Sequence, residues 1–186
     1  MKPIPMPSFL REVFGETQRP LDLFLVLISA FSFNLLLLFS HPFLRPSWYS
    51  WKIVLSHLLI FDIAAGAIAN LTHSTNEHYQ ARPSLRYAFY AVHIHLIILF
   101  LLLDQSIPKA CLITALTVAA SLLVNAFKGH PSQRILAASL VVLGSSAIAL
   151  FLALPSFVLL PSVLFVVKLT FSFSVHHAAI TTHNSP

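Results

Sequence analysis

The sequence is short of charge. Asp, Glu, Lys and Arg make up only 9% of its 186 residues, while 57% are hydrophobic and the mean hydropathy is +0.83. A water-soluble domain carries about 25% charged residues, so a surface this apolar excludes a soluble domain. Cysteine is scarcer still. Cys111 is the only one, which excludes an intrachain disulfide, and its apolar surroundings assign it to packing. Also missing are a GxSxG elbow, an HExxH motif and a pair of histidines four apart on one helix. Serine-hydrolase chemistry is thereby excluded, no metal site is expected, and the cofactor is left unknown. Formal charge is +5, from eleven Lys and Arg scattered at the ends of apolar runs. With no basic stripe interleaved with aromatics, nucleic acid is excluded as a partner. The first residues lack the apolar core of a signal peptide, and neither terminus carries a lipidation box, so no cleaved leader or lipid anchor is expected.

What the chain does have is long hydrophobic runs. A membrane-crossing helix needs about 20 largely apolar residues. Such runs occur at about 21–40, 52–72, 85–104, 108–127, 133–153 and 156–180. The predicted fold is all-α, a polytopic bundle of six transmembrane helices forming one domain, 21–180. Residues 1–20 precede it; within them Phe9, Leu10, Val13 and Phe14 share a helical face, which predicts a short interfacial helix. A short tail, 181–186, follows. Pro161 predicts a kink in the last span, and the link at Pro155 makes the last two spans a hairpin. In a 3+3 division, Asp62-Gly66 and Gly144-Ser145-Ser146 interrupt the middle helix of each half, a weak echo of inverted-repeat transporters. Six spans put both termini on one side, with Lys2, Arg11, Arg19, Arg82, Arg86, Lys128 and Arg134; Arg45, Lys52 and Lys109 fall opposite. Seven against three predicts cytoplasmic termini. The membrane itself is left open, as is the oligomeric state.

Charge within a span costs roughly 2.5–3.5 kcal/mol on insertion scales, so each instance demands a reason. Asp62 and Lys168 lie midway along the second and sixth spans, about 15 Å from either surface at 1.5 Å per residue. Equal depth and opposite sign predict a pair. Asp62, Gly66, Asn70 and His73 follow helical spacing and form a polar stripe toward the N-terminal side, whereas His57 points away from it. On a continuous helix His93 and His95 diverge by about 200°, so at most one faces that stripe. A bis-histidine haem is not expected, because His93 and His177 differ in depth. Near the rim gather Asn70, His73, Asn76, Glu77, His78, Tyr79, Arg82, Arg86 and Tyr87, with His176 and His177 arriving from the sixth span.

Two functional classes use these residues. An intramembrane enzyme acting on a lipid or other hydrophobic substrate would use Asp62, His93 or His95, and Lys168 for acid–base chemistry. Its rim set (Asn70, His73, Asn76, Glu77, Tyr79, Arg82, Arg86, His176 and His177) would hold the polar end. A proton-linked transporter or channel would use the same residues as a relay. A non-catalytic scaffold subunit is the third alternative. Membrane lipids are the expected partners. The polar residues lie toward one side, which favours the enzyme reading.

Overall fold

The computed structural model describes residues 2–44 and 50–177. Arg45, one of the three charges expected opposite the termini, lies outside the described residues, as do the end of the sixth span beyond 177 and the 181–186 tail. The fold is an all-α bundle with six helices long and apolar enough to cross a membrane. The chain is thus a multi-pass membrane protein. The first span is α2 (Pro20–Ser40), opened by Pro20 at the first helical position, where its missing N–H costs nothing. The second is α3 (Trp51–Ala69). The fourth is α7 (Ile107–Ala126) and the fifth is α8 (Gln133–Phe151).

The third and sixth spans are not regular helices. The third comprises α5 (Pro83–Val92) and α6 (His95–Leu102), separated at His93-Ile94. His93 has φ −80° and ψ 59°, the inverse γ-turn conformation. Its turn is closed by Ile94 N donating to Val92 O at 2.8 Å, where an uninterrupted helix would bond to Tyr90 O. The sixth span begins as α9 (Ser156–Val166), passes Pro161 without breaking, and continues as a π-helix over Val167–Phe173. The interruptions expected in the second and fifth spans therefore lie in the third and sixth. Gly144 needs no break: a Cβ there would meet Val166 Cγ1 at an ordinary 3.6 Å.

Two further elements cover the N-terminal end. The polar stretch after α3 folds as α4 (His73–Gln80). The N-terminal segment carries the expected short helix and folds around it as a cap. A two-residue antiparallel ladder, Ile4–Pro5 with Thr17–Gln18, brackets a 3₁₀ turn (Ser8–Leu10) and α1 (Arg11–Phe14). Met6 and Phe14 are buried in a cluster with Val26, Ala65 and Ala69, while Phe9 is 78% exposed. The cap docks on α4 through Gln18 Nε2 to Thr72 Oγ1 (2.8 Å) and Tyr79 OH to Glu12 O (2.6 Å). Gly15, at φ +72°, sits where any Cβ would overlap the Ser74 backbone. Cys111 is exposed on the fourth span rather than packed inside.

The main apolar core lies on the other side of the bundle. Ile60, Ile63, Leu96, Leu99, Phe100 and Phe165 are fully buried there together. α3 packs against α2, α6 and both parts of the sixth span; α5 packs on α4 instead.

Candidate functional site

Asp62 and Lys168 meet. Lys168 Nζ donates to Asp62 Oδ2 at 2.7 Å and lies 3.4 Å from Asp62 O. The lysine side chain is 3% exposed, whereas the aspartate side chain is 41% exposed. Gly66, one turn beyond Asp62, explains how the lysine reaches it. A Cβ on Gly66 would overlap Lys168 Cε and come within 2.8 Å of Nζ. The lysine side chain crosses α3 through the space a side chain would fill. The π-helix carries Lys168, and its serines tie the segment to its surroundings: Ser172 Oγ donates to Ala67 O at 2.6 Å and Ser174 Oγ to Leu169 O at 2.6 Å. Single-turn π segments recur at functional positions because they re-aim one side chain without ending the helix.

One histidine reaches this pair, and the second packs against the first. His95 Nδ1 lies 3.4 Å from Asp62 Oδ2, without hydrogen-bond alignment. The His93 and His95 rings are 5.1 Å apart, edge to face. The divergence expected for residues two apart is overturned by the break between α5 and α6, which resets the rotation about the span axis. His93 takes part in making that break. Its Nδ1 bonds to Phe89 O, the carbonyl its own N–H would take in a continuing helix. A carbonyl only accepts, so Nδ1 carries a proton there. The Nε2 of His93 is buried and without a partner. The His93 ring leans on Phe89 at 3.8 Å with its plane tilted by 35°, Phe89 stacks on Phe173 at 3.7 Å, and Arg86 lies 5.2 Å from the centre of the Phe173 ring. An aromatic column thus joins the centre to the rim.

The expected rim set divides in two. One part caps the end of the sixth span. Asn76 Nδ2 donates to Val175 O at 2.9 Å, and Asn76 Oδ1 accepts from His177 N at 3.0 Å. Arg86 donates to Ser174 O and to Asn125 Oδ1, each at 2.6 Å. The His177 ring is turned to Phe171 O and Ser172 O. A helix end leaves such carbonyls orphaned, and these side chains are committed to them. Asn125, Gln133 and Ser174 belong to this cap and escaped the sequence reading. Gln133, at the start of α8, is no different in sequence from a solvated polar residue, yet its Nε2 donates to Ser174 O at 3.2 Å.

The other part lines an open polar pocket of about 360 Å³ between α4 and the N-terminal cap, with His73, Ser74, Glu77, His78 and Arg82 facing Glu16 and Thr17. His176 Nε2 lies 2.9 Å from Glu77 Oε1. Arg82 Nη2 donates to Glu16 Oε1 at 2.9 Å, and this hydrogen bond holds the Glu16 carboxyl below the ordinary glutamate range. Burial pushes the Tyr79 phenol up, with the Glu12 carboxylate adding to it. His73 does not extend the Asp62 stripe. α3 ends at Ala69, so the stripe stops at Asn70, which is buried with its Nδ2 unpartnered. His57 bonds away from the centre, to Asn34 Oδ1 and Leu44 O at 2.9 Å each. No cluster of three or more His, Cys, Asp or Glu with metal-binding geometry occurs among the described residues.

No protein-family model matches the chain, and neither a curated protein nor a solved structure matches it. Fold and site together define a six-span helical membrane protein with a histidine-flanked ion pair in its interior.

Proposed function

We propose that the chain is an intramembrane enzyme that acts by proton transfer on a lipid or other hydrophobic substrate entering sideways from the bilayer. The observation that carries this reading is Asp62 set between Lys168 and His95 with His93 packed behind His95, Asp62 being the half-open member and Lys168 the sealed one. In the proposal Lys168 is the counter-ion, Asp62 and His95 face the substrate, and His93 Nε2 holds or releases a proton behind them. One-sided polarity supports it. Toward the N-terminal side polar groups continue to Asn70 and the rim pocket, while Ile60, Ile63, Leu99 and Phe100 close the other side. With both termini in the cytoplasm, the rim pocket would hold a head group there through His73 and Arg82.

The test is direct. Purified protein in nanodiscs is incubated with a total membrane lipid extract, and substrate loss is followed by mass spectrometry. The parent should consume a lipid class that His95→Ala consumes about 10²–10⁴-fold more slowly, with an unchanged melting temperature. Turnover by the variant equal to the parent's would overturn the proposal.

A second reading, a proton-linked transporter, draws on the interruptions of the third and sixth spans near Asp62. Discontinuous helices at matching positions of two halves are a transporter feature. A pH-sensitive dye sealed in proteoliposomes would favour it by reporting flux in the parent that His93→Ala lacks.

A further inference from the structure

We infer that the group bound at the Asp62 opening is an uncharged hydroxyl, so that the substrate class is a long-chain or polycyclic alcohol lying within the bilayer. This rests on the enzyme reading above and narrows it. The inference begins with the two carboxylate oxygens. Lys168 and His95 both approach Oδ2. Among the described residues no hydrogen bond reaches Oδ1, and the aspartate side chain is 41% exposed. The exposed side chains nearest it along these elements are apolar: Leu58, one turn before Asp62 on the same face of α3, and Val92 and Ile94, on either side of His93. Oδ1 is thus an open acceptor on a lipid-facing surface, and an acceptor of that kind selects a donor.

Depth and charge select among donors. Asp62 lies about 10 Å from the Ala69 end of α3 at 1.5 Å per residue, inside the hydrocarbon region. A ligand ammonium would have to be carried there against the cost of charge in lipid. It would also meet a centre already neutralised, since the Lys168 ammonium balances the Asp62 carboxylate. An amide would bring a carbonyl that the apolar flank gives no donor, and an unmatched polar group is costly to bury. A hydroxyl brings one donor with the least polar surface beyond it. The α5–α6 break matters here as well. It sets His95 beside Asp62, while α5 packs on α4.

Photolabelling separates this inference from the reading on which it rests. The full chain in phosphatidylcholine nanodiscs is exposed to a long-chain alcohol carrying a diazirine beside its hydroxyl, or to the methyl ether of the same probe. Labelled peptides are then mapped by mass spectrometry. The alcohol should label the α3 segment around Asp62 or the 91–98 segment at least ~10-fold more than the ether, which accepts but cannot donate. In the pair-replacing variant Asp62→Leu/Lys168→Met, which keeps the bundle free of a stranded charge, the alcohol should fall to the ether's level. Equal labelling by alcohol and ether, or unchanged labelling in the double variant, overturns the hydroxyl assignment and leaves lateral entry standing. Labelling of neither segment by either probe overturns lateral entry too.

Discussion

At the residue scale the centre depends on one absent side chain. Gly66 leaves the path by which Lys168 reaches Asp62, so Gly66→Ala should behave as overpacking, which typically costs about 1–3 kcal/mol. In a Lys168→Ala background the clash has no partner, and the same substitution should cost less than about 0.5 kcal/mol. Detergent melting of the four proteins of that cycle checks the coupling. The ion pair should be asymmetric. Asp62→Ala strands a lysine whose side chain is 3% exposed, and breaking a buried pair this way costs about 3–5 kcal/mol. Lys168→Met leaves a carboxylate with access to the opening and should cost less. The double replacement Asp62→Ala/Lys168→Met should melt close to the parent. Independent, additive effects would mean that the two charges do not stabilise one another.

At the element scale, two spans depart from helical geometry, and in each a side chain takes up backbone bonding. In the third span His93 occupies Phe89 O, between the β-branched Val92 and Ile94, whose stiff χ1 lowers helix propensity. In the sixth span, Ser174 Oγ takes Leu169 O five residues back, and other elements cap the carbonyls beyond it. Arg86 and Gln133 both donate to Ser174 O. Arg86→Leu should therefore lower stability by about 1–3 kcal/mol, the cost of leaving a buried acceptor underserved. Because Gln133 shares that carbonyl, Arg86→Leu combined with Gln133→Leu should lose more than the sum of the single changes, read by thermal melting.

At the scale of the whole molecule, the N-terminal cap and the topology are both open to measurement. Arg82 depresses the Glu16 carboxyl in the folded state, so the latch contributes stability above the ordinary glutamate range. That contribution is lost as pH falls through the depressed value. Hydrogen exchange of residues 4–18 should rise in acid while the spans stay protected, and Arg82→Gln should remove most of that pH dependence. For topology, the proposed cytoplasmic termini put Asp104 on the far side. With Cys111 replaced, a cysteine at Asp104 should stay shielded from a membrane-impermeant reagent admitted to the cytoplasm alone, whereas a cysteine at Ser8 should react. Reaction of the Asp104 position from the cytoplasm would reverse the orientation.

Hydrophobic run length by itself determined the class of protein and its six spans, because the bilayer sets one helix length and the chain meets it six times. Sign and depth also made Asp62 and Lys168 partners, since two opposite charges placed equally deep have few other ways to offset their cost. Tertiary structure decided the rest. A reading that assumes continuous helices rotates each residue by a fixed 100°, so it separated His93 from His95 and carried the Asp62 stripe on to His73. The γ-turn at His93 and the end of α3 at Ala69 reset those rotations, and neither is marked by Gly or Pro. The rim followed the same logic. Asn76, Arg86 and His177 look like ligand-binding groups in a one-dimensional list, yet the last turns of the sixth span leave carbonyls that must be met. Only packing shows that these side chains meet them, because hydrogen-bond demand at a helix end is set by what lies beside it in space.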